Sequence, residues 1–401
     1  MVGVLGQHAV CVSEVCDVCE AACPPPSLIR LLQFYSSWAQ LRDALLPSWT
    51  PRGVVLVVGS DDCSLHQLMV KVLPALAMGN SVIVVPGLSS APPALLLAEL
   101  FSAAGLPAGA LNVLTGSDAL FGAKVAANQN ISYVTFSGNK QEGVLLCEAT
   151  AGLGVSVSVS SILGARCPFI VFESADIDSA VDAIVQSVFT KRREVHWVLC
   201  VQESVQERLV SRLRLRMSGM KSLSLRSEEE RRLVEAAVQE AEQQGATLVQ
   251  SCSPPLLWSP VPPPRSNSEA VALANHSPHG LAASIWTEEL TLALETAKSV
   301  CVGSVCVNCV SLSDPSLPVS PHKESGSCTD GGQEGLYQFL RPSSSSSPPS
   351  PPLLPPLGGL LSVWICGPPP PPSSLQGLPV PRSPSPSLWG GSRVSRCQAA
   401  V

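Results

Sequence analysis

His196 and Cys200 are the closest this chain comes to a nucleophile carrying its own base. A neighbouring imidazole can take a thiol proton and leave the reactive thiolate. An apolar run, Val198 to Gln202, reads as a strand, and on a strand an offset of four puts two side chains on one face but well apart. The spacing therefore favours two inert side chains over a working dyad, with Cys200 the weaker, alternative nucleophile. Two cysteine pairs, Cys16/Cys19 and Cys306/Cys309, have the spacing of half a zinc site. Neither has a second pair nearby, so no metal is expected. Asp61-Asp62 reads as a solvated turn rather than a cation site. Gly138 to Gly143 is a glycine turn opening a helix. Such a turn lets a pyrophosphate approach backbone amides. The same glycines also serve a tight strand-to-helix turn, and that reading is favoured.

These residues need elements to hold them. A β-branched run from Val54 to Val58 suits a buried parallel strand. Helical patterns follow over Leu65 to Ala77 and Pro92 to Ala104, with strands at Ser81 to Val85, Leu111 to Leu114 and Tyr133 to Phe136. The alternation predicts a parallel sheet with helices on both faces. Val155 to Ser160 alternates at period two, as a strand with one apolar face does. Helices are expected over Leu28 to Leu46, Asp178 to Phe189, Gln206 to Met217, Ser227 to Gln244 and Glu288 to Lys298. Asp176 and Asp178 read as acids complementing a helix N-terminus. Strands are expected at Ala283 to Trp286 and Ser304 to Cys309.

Charge and composition exclude several classes. The net charge of -6 gives no electrostatic case for a nucleic-acid partner. Four arginines on the Gln206 to Met217 helix therefore read as a solvated face. No run approaches the ~20 apolar residues of a membrane helix. Fifteen scattered cysteines, with no secretory signal at the start, point to reduced thiols and a cytoplasmic setting. Beyond Pro342 the composition changes. Residues 342–401 hold 16 of the 37 prolines, long serine runs and no acid. Such a tail cannot bury enough apolar surface to offset its ordering entropy, so disorder is expected. Its short apolar island, Leu360 to Ile365, is the one place for an induced contact.

Several stretches, in order, resemble the aldehyde dehydrogenase superfamily. They are Pro74-Ala-Leu-Ala-Met-Gly-Asn80 with Ser81-Val-Ile-Val-Val, Gly105 to Gly116, Phe136-Ser-Gly-Asn139 with Gly143, and Pro168-Phe-Ile-Val-Phe with Ala175-Asp-Ile-Asp178. Ala272-Leu-Ala-Asn275, Gly280-Leu-Ala-Ala283, Trp286-Thr287 and Lys323-Glu-Ser-Gly326 complete the set. The wording of Pro74 to Asn80 and of Pro168 to Glu173 is most similar to the two-domain, family-16 branch. The resemblance implies an α/β fold in which a parallel Rossmann-type cofactor domain joins a second α/β catalytic-type domain. It divides the chain into a poorly ordered lead-in (1–27), a cofactor-type domain (28–155), a degenerate catalytic-type domain (156–264), a return segment to the cofactor-type domain (265–341) and a disordered tail (342–401).

The family's chemistry needs a thiolate to capture the aldehyde, a donor for the developing alkoxide and a glutamate to activate water. The resemblance puts His196 where the nucleophilic cysteine belongs, Ile162 at the glutamate and Asp62 at the oxyanion asparagine. Val85 and Leu88 stand at the adenosine-ribose positions, and Leu256 where a glutamate would hold the nicotinamide ribose. The expected cofactor is therefore none, or weakly held NAD, with Gly138 and Gly143 the surviving positions. No counterpart precedes Leu28, Leu41 to Arg52 is too short for the oligomerisation hairpin, and the C-terminal inter-subunit strand is replaced by the tail. Oligomerisation elements are thus lost, as in a fragment or an altered splice product. Two functions follow from the resemblance: a catalytically inactive pseudoenzyme acting through a protein partner, favoured, and an NAD(P)-dependent aldehyde oxidoreductase with an atypical site.

Overall fold

The computed structural model describes residues 25–61, 63–116, 121–160, 165–189, 195–218, 247–250, 256–258, 263–310, 314–343 and 362–365, with Glu235, Gln239 and Gln243. Two five-stranded parallel sheets organise them. The first runs Leu111–Val113, Ser81–Val85, Val54–Gly59, Tyr133–Ser137, Ser156–Ser160 from edge to edge. The second runs Ser362–Ile365, Ser304–Val307, Ala282–Trp286, Ala165–Val171, Val195–Val201.

Each central strand is buried on both faces. Val55 and Val57 enter one apolar cluster with Leu68, Val72 and Phe101, while Leu56 and Val58 enter another with Ala126, Phe136 and Leu146. In the second sheet Phe169 and Val171 pack on one face, Ile170 and Phe172 on the other. The period of two in these runs is what lets a single strand serve two helix layers. Helix Leu65–Ala77 starts on a capping box, in which Ser64 and Gln67 satisfy each other's backbone amides. Helix Gln206–Met217 buries Leu209, Leu213 and Met217. Its Arg216 pairs with Asp182, and Arg212 lies 3.5 Å from Asp178, so the basic face meets an acidic helix.

Two expectations are corrected. Ser156–Ser160, assigned to the catalytic-type domain (156–264), is an edge strand of the first sheet. The segment 265–341 does not return as a whole: Ala282–Trp286 and Ser304–Val307 lie in the second sheet, and the chain rejoins the first only after 314. There Asp330 meets Lys71, and Leu340–Pro342 pairs antiparallel with Trp49–Pro51. Local periodicity marks a strand but is silent on which sheet it joins. Within the tail, Ser362–Ile365 pairs parallel with Ser304–Val307. The rest of 344–401, most of the Ser227 to Gln244 helix and the lead-in to Pro24 lie outside the described residues.

Candidate functional site

Strand order in the first sheet reverses between Val54–Gly59 and Tyr133–Ser137. In open α/β sheets ligands bind outside the carboxyl ends at such a point. Here those ends are stitched together. The Ser60 amide donates to the Ser137 carbonyl at 3.0 Å, and the Gly138 amide to the Ser160 carbonyl at 3.1 Å. Ser60, 3% exposed, leans on Gly138: a Cβ there would sit 2.4 Å from Ser60 Oγ and 2.7 Å from Phe136 Cζ. At Gly143, one turn into the helix Lys140–Thr150, a Cβ would lie 2.9 Å from Val159 Cγ1. Close packing within the chain therefore accounts for both glycines.

That helix start is also occupied. Asn139 Oδ1 accepts from the Glu142 amide at 2.9 Å, and Asn139 Nδ2 donates to Glu142 Oε1 at 2.6 Å. The Glu142 carboxylate thus lies at the positive end of the helix, where it would repel a phosphate. Asp61 Oδ1 accepts from the Leu88 amide at 3.0 Å, tying two loops at the sheet's carboxyl edge. Val85 is buried and Leu88 exposed, and neither offers a polar atom from its side chain. These residues do not fit a dinucleotide: its phosphate meets a carboxylate, and its ribose meets two aliphatic side chains.

Of the residues proposed for chemistry, Asp62 and Ile162 lie outside the described residues, as do Cys16 and Cys19. The strand Val195–Val201 carries His196, paired in register with Arg166, and Cys200, paired with Ile170. Cys200 is 2% exposed and packs among Phe172, Ala270 and Ala283. Among the described residues its Sγ reaches only the Val198 carbonyl, at 3.8 Å. Burial pushes its thiol up to about 12, so it carries no thiolate at neutral pH. Cys306 is buried and Cys309 partly so, and no group of three His, Cys, Asp or Glu able to hold a metal occurs among the described residues. Asp176 does what a helix-start acid should: its Oδ1 accepts from the Asp178 amide at 3.2 Å.

The second sheet reverses its strand order between Ala165–Val171 and Ala282–Trp286. Its carboxyl edge is likewise closed by its own side chains. Ser174 and Thr287 hydroxyls meet at 2.6 Å. Asn308, at φ 54°, exchanges two hydrogen bonds with the Thr287 backbone, at 3.1 and 3.0 Å.

Sequence reading missed two polar clusters. Lys71, fully buried mid-helix, donates to both Asp330 oxygens at 2.9 and 3.0 Å and lies 3.5 Å from Cys328 Sγ. Ser160 donates to Asp330 Oδ2 at 3.0 Å. Burial alone would lower the Lys71 pKa; Asp330 and then Cys328 outweigh it and hold the ammonium charged. Burial, aided by Asp330, pushes the Cys328 thiol up to about 11. A lone lysine inside Leu68-Met-Val-Lys-Val-Leu73 was the available signal. The second cluster surrounds His279, whose buried Nδ1 has no partner among the described residues. Burial first, and then Arg166, holds its imidazole below the usual range. Lys323 Nζ caps the helix Asn267–Asn275, donating to the Asn275 and Ser277 carbonyls at 3.0 and 2.9 Å, and Ser325 Oγ accepts from the Gly280 amide. The Lys323-Glu-Ser-Gly326 stretch is thus a staple between the two sheets, completed by the Ser160–Gly326 bridge.

Among the described residues no helix is long and apolar enough to cross a membrane. The profile of the aldehyde dehydrogenase family matches residues 10–256 and 259–344. The match begins upstream of Leu28, where sequence pattern alone found no counterpart. Cytosolic aldehyde dehydrogenase 1 of Rattus norvegicus is 28% identical over 363 residues, covering 78% of this chain and 72% of that protein. An apo betaine aldehyde dehydrogenase mutant from Staphylococcus aureus superposes with a TM-score of 0.77 at 20% identity, covering 85% of this chain and 80% of that one. A putative aldehyde dehydrogenase from Burkholderia cenocepacia gives 0.74 at 24% identity, covering 85% and 83%. The chain belongs to the aldehyde dehydrogenase family.

Proposed function

We propose that the chain is a catalytically inactive member of this family that acts by binding a protein partner. The observation that carries the first half is Cys200. It is the first thiol after Phe189, and it lies buried in a strand with no base described beside it. A thiol held at about 12 is overwhelmingly protonated at neutral pH and cannot capture an aldehyde. The resemblance puts His196, Ile162 and Asp62 at the three positions the chemistry needs. An imidazole gives no hydride-donating thiohemiacetal, isoleucine takes no proton, and an aspartate repels an alkoxide. The closed switch point supports the reading that NAD is bound weakly or not at all. The exposed apolar residues Val144, Leu145 and Leu153, and an open groove of about 540 Å³ lined by Cys147, Thr150 and Val157, support a binding role.

The test follows reduced-nicotinamide absorbance while homogeneous protein is offered aliphatic and aromatic aldehydes with NAD or NADP. No turnover is expected, and calorimetry should show no NAD binding in the micromolar range. Turnover abolished by Cys200→Ala would overturn the reading and establish an oxidoreductase with an atypical site.

A further inference from the structure

The Lys71 cluster holds one group that its fastening role does not use, the Cys328 thiol. Cys328 is 5% exposed, and its Sγ lies 3.5 Å from Lys71 Nζ. The thiol aims its weak donor at Asp330 Oδ2, 3.7 Å away. Asp330 in turn accepts from the same ammonium at 2.9 and 3.0 Å. A sulfur, an amine nitrogen and a carboxylate able to take a proton from either are thus in mutual contact. Tyr35 adds a fourth group. It is 2% exposed, and its hydroxyl has no hydrogen-bond partner among the described residues. Burial first, and then the charge of Asp330, holds the proton on that hydroxyl.

We propose that Lys71 and Cys328 form an oxidative modification site, joined by a sulfur–nitrogen bond when a peroxide oxidises the thiol. In the first step the sulfur attacks one peroxide oxygen and the O–O bond breaks. The thiol becomes a sulfenic acid, and the peroxide is reduced to water. In the second step the Lys71 nitrogen attacks that sulfur and the S–O bond breaks. Of the two protons the ammonium gives up, one leaves with the hydroxide as water and the other passes to Asp330. The products are a sulfenamide, water and a neutral carboxylic acid. The ion pair loses both charges together, so no uncompensated charge is left in the interior. Burial keeps other thiols away from the sulfenic acid, and the amine 3.5 Å from the sulfur is what meets it. The Tyr35 hydroxyl supplies a donor for the departing oxygen. The new bond ties the helix Leu65–Ala77 to the segment around Asp330, across 257 positions of chain. A cross-link of that span stabilises mainly by restricting the unfolded chain.

The test treats the full, folded chain with hydrogen peroxide, then digests it for mass spectrometry. The expected product is a linked pair of peptides carrying Lys71 and Cys328, lighter than their sum by two hydrogens. Dithiothreitol should separate the pair again. The linked chain should melt several degrees higher than the untreated one. No link should form in urea, where the fold no longer holds the two groups together. None should form in C328S, which keeps a small polar group beside the ion pair. Cys328 left as a thiol at a dose that fully oxidises exposed Cys301 overturns the proposal. So does Cys328 carried on to a sulfinic acid without a link. A link that forms equally well in urea, or that survives dithiothreitol, also overturns it.

Discussion

Lys71 and Cys200 are both almost wholly shielded from water, yet they sit in opposite chemical company. Lys71 has two bonds to Asp330, and Asp330 takes a third from Ser160. Cys200 has one weak contact to a backbone carbonyl. The polar cluster bridges the helix Leu65–Ala77, the strand Ser156–Ser160 and the segment around Asp330. It therefore fastens elements far apart in sequence. Around Cys200 the neighbours are apolar, and burial simply suppresses ionisation. In the described parts of this chain, strong buried electrostatics serve architecture and are missing from the place where chemistry is sought.

Breaking the fastened side should have the largest effect. Asp330→Ala leaves a buried ammonium unpaired, which costs about 3–5 kcal/mol. Chemical denaturation should show the loss, or the variant should fail to accumulate in folded form. The double variant K71M/D330L should recover much of it, because apolar groups of similar volume remove the uncompensated charge. If Asp330→Ala were neutral, the cluster would not be what fastens these three elements. Next comes the switch point. Gly138→Ala should cost about 1–3 kcal/mol by forcing a Cβ into Ser60. Ser60→Gly should relieve part of that cost, giving a non-additive cycle. Additive effects would mean that Ser60 is not what Gly138 accommodates. Smaller still is the effect at the thiol. Cys200 should resist alkylation at neutral pH while exposed Cys301 reacts, and should react only on unfolding. Peptide mapping of the labelled sites decides it.

Much of the framework was legible in the sequence. The runs Val54 to Val58, Ser81 to Val85 and Tyr133 to Phe136 announce buried parallel strands because β-branched residues fill both faces. The helical patterns over Leu65 to Ala77 and Gln206 to Met217 match the observed helices at both ends. What stayed hidden depends on long-range pairing. Nothing near Ala282 or Ser304 says which sheet they join, and nothing in Leu360 to Ile365 names the edge that accepts Ser362–Ile365. The Lys71 and Asp330 partners are 259 positions apart. Within the candidate site, the glycine turn and the strand that carries Cys200 were readable from local pattern. The contact that closes the turn, Ser60 on Gly138, was not.

The smallest expected effect concerns the seam between the sheets and is seen only as pH changes. His279 is held below the usual imidazole range by burial first and then by Arg166. Lys140 and Lys323 push the same way, and Glu324 opposes them. The unfolded chain then binds the His279 proton more readily than the folded one. Stability should therefore rise with pH around the ordinary imidazole value of ~6.5 and fall below it. His279→Gln should flatten this part of the pH–stability curve while leaving the plateau above pH ~7.5 nearly level. Glu324→Gln should steepen it, because the one acid favouring the imidazolium is gone. Thermal melts from pH 5 to 8, with the same salt throughout, measure both. A slope unchanged in His279→Gln would mean that another group titrates there.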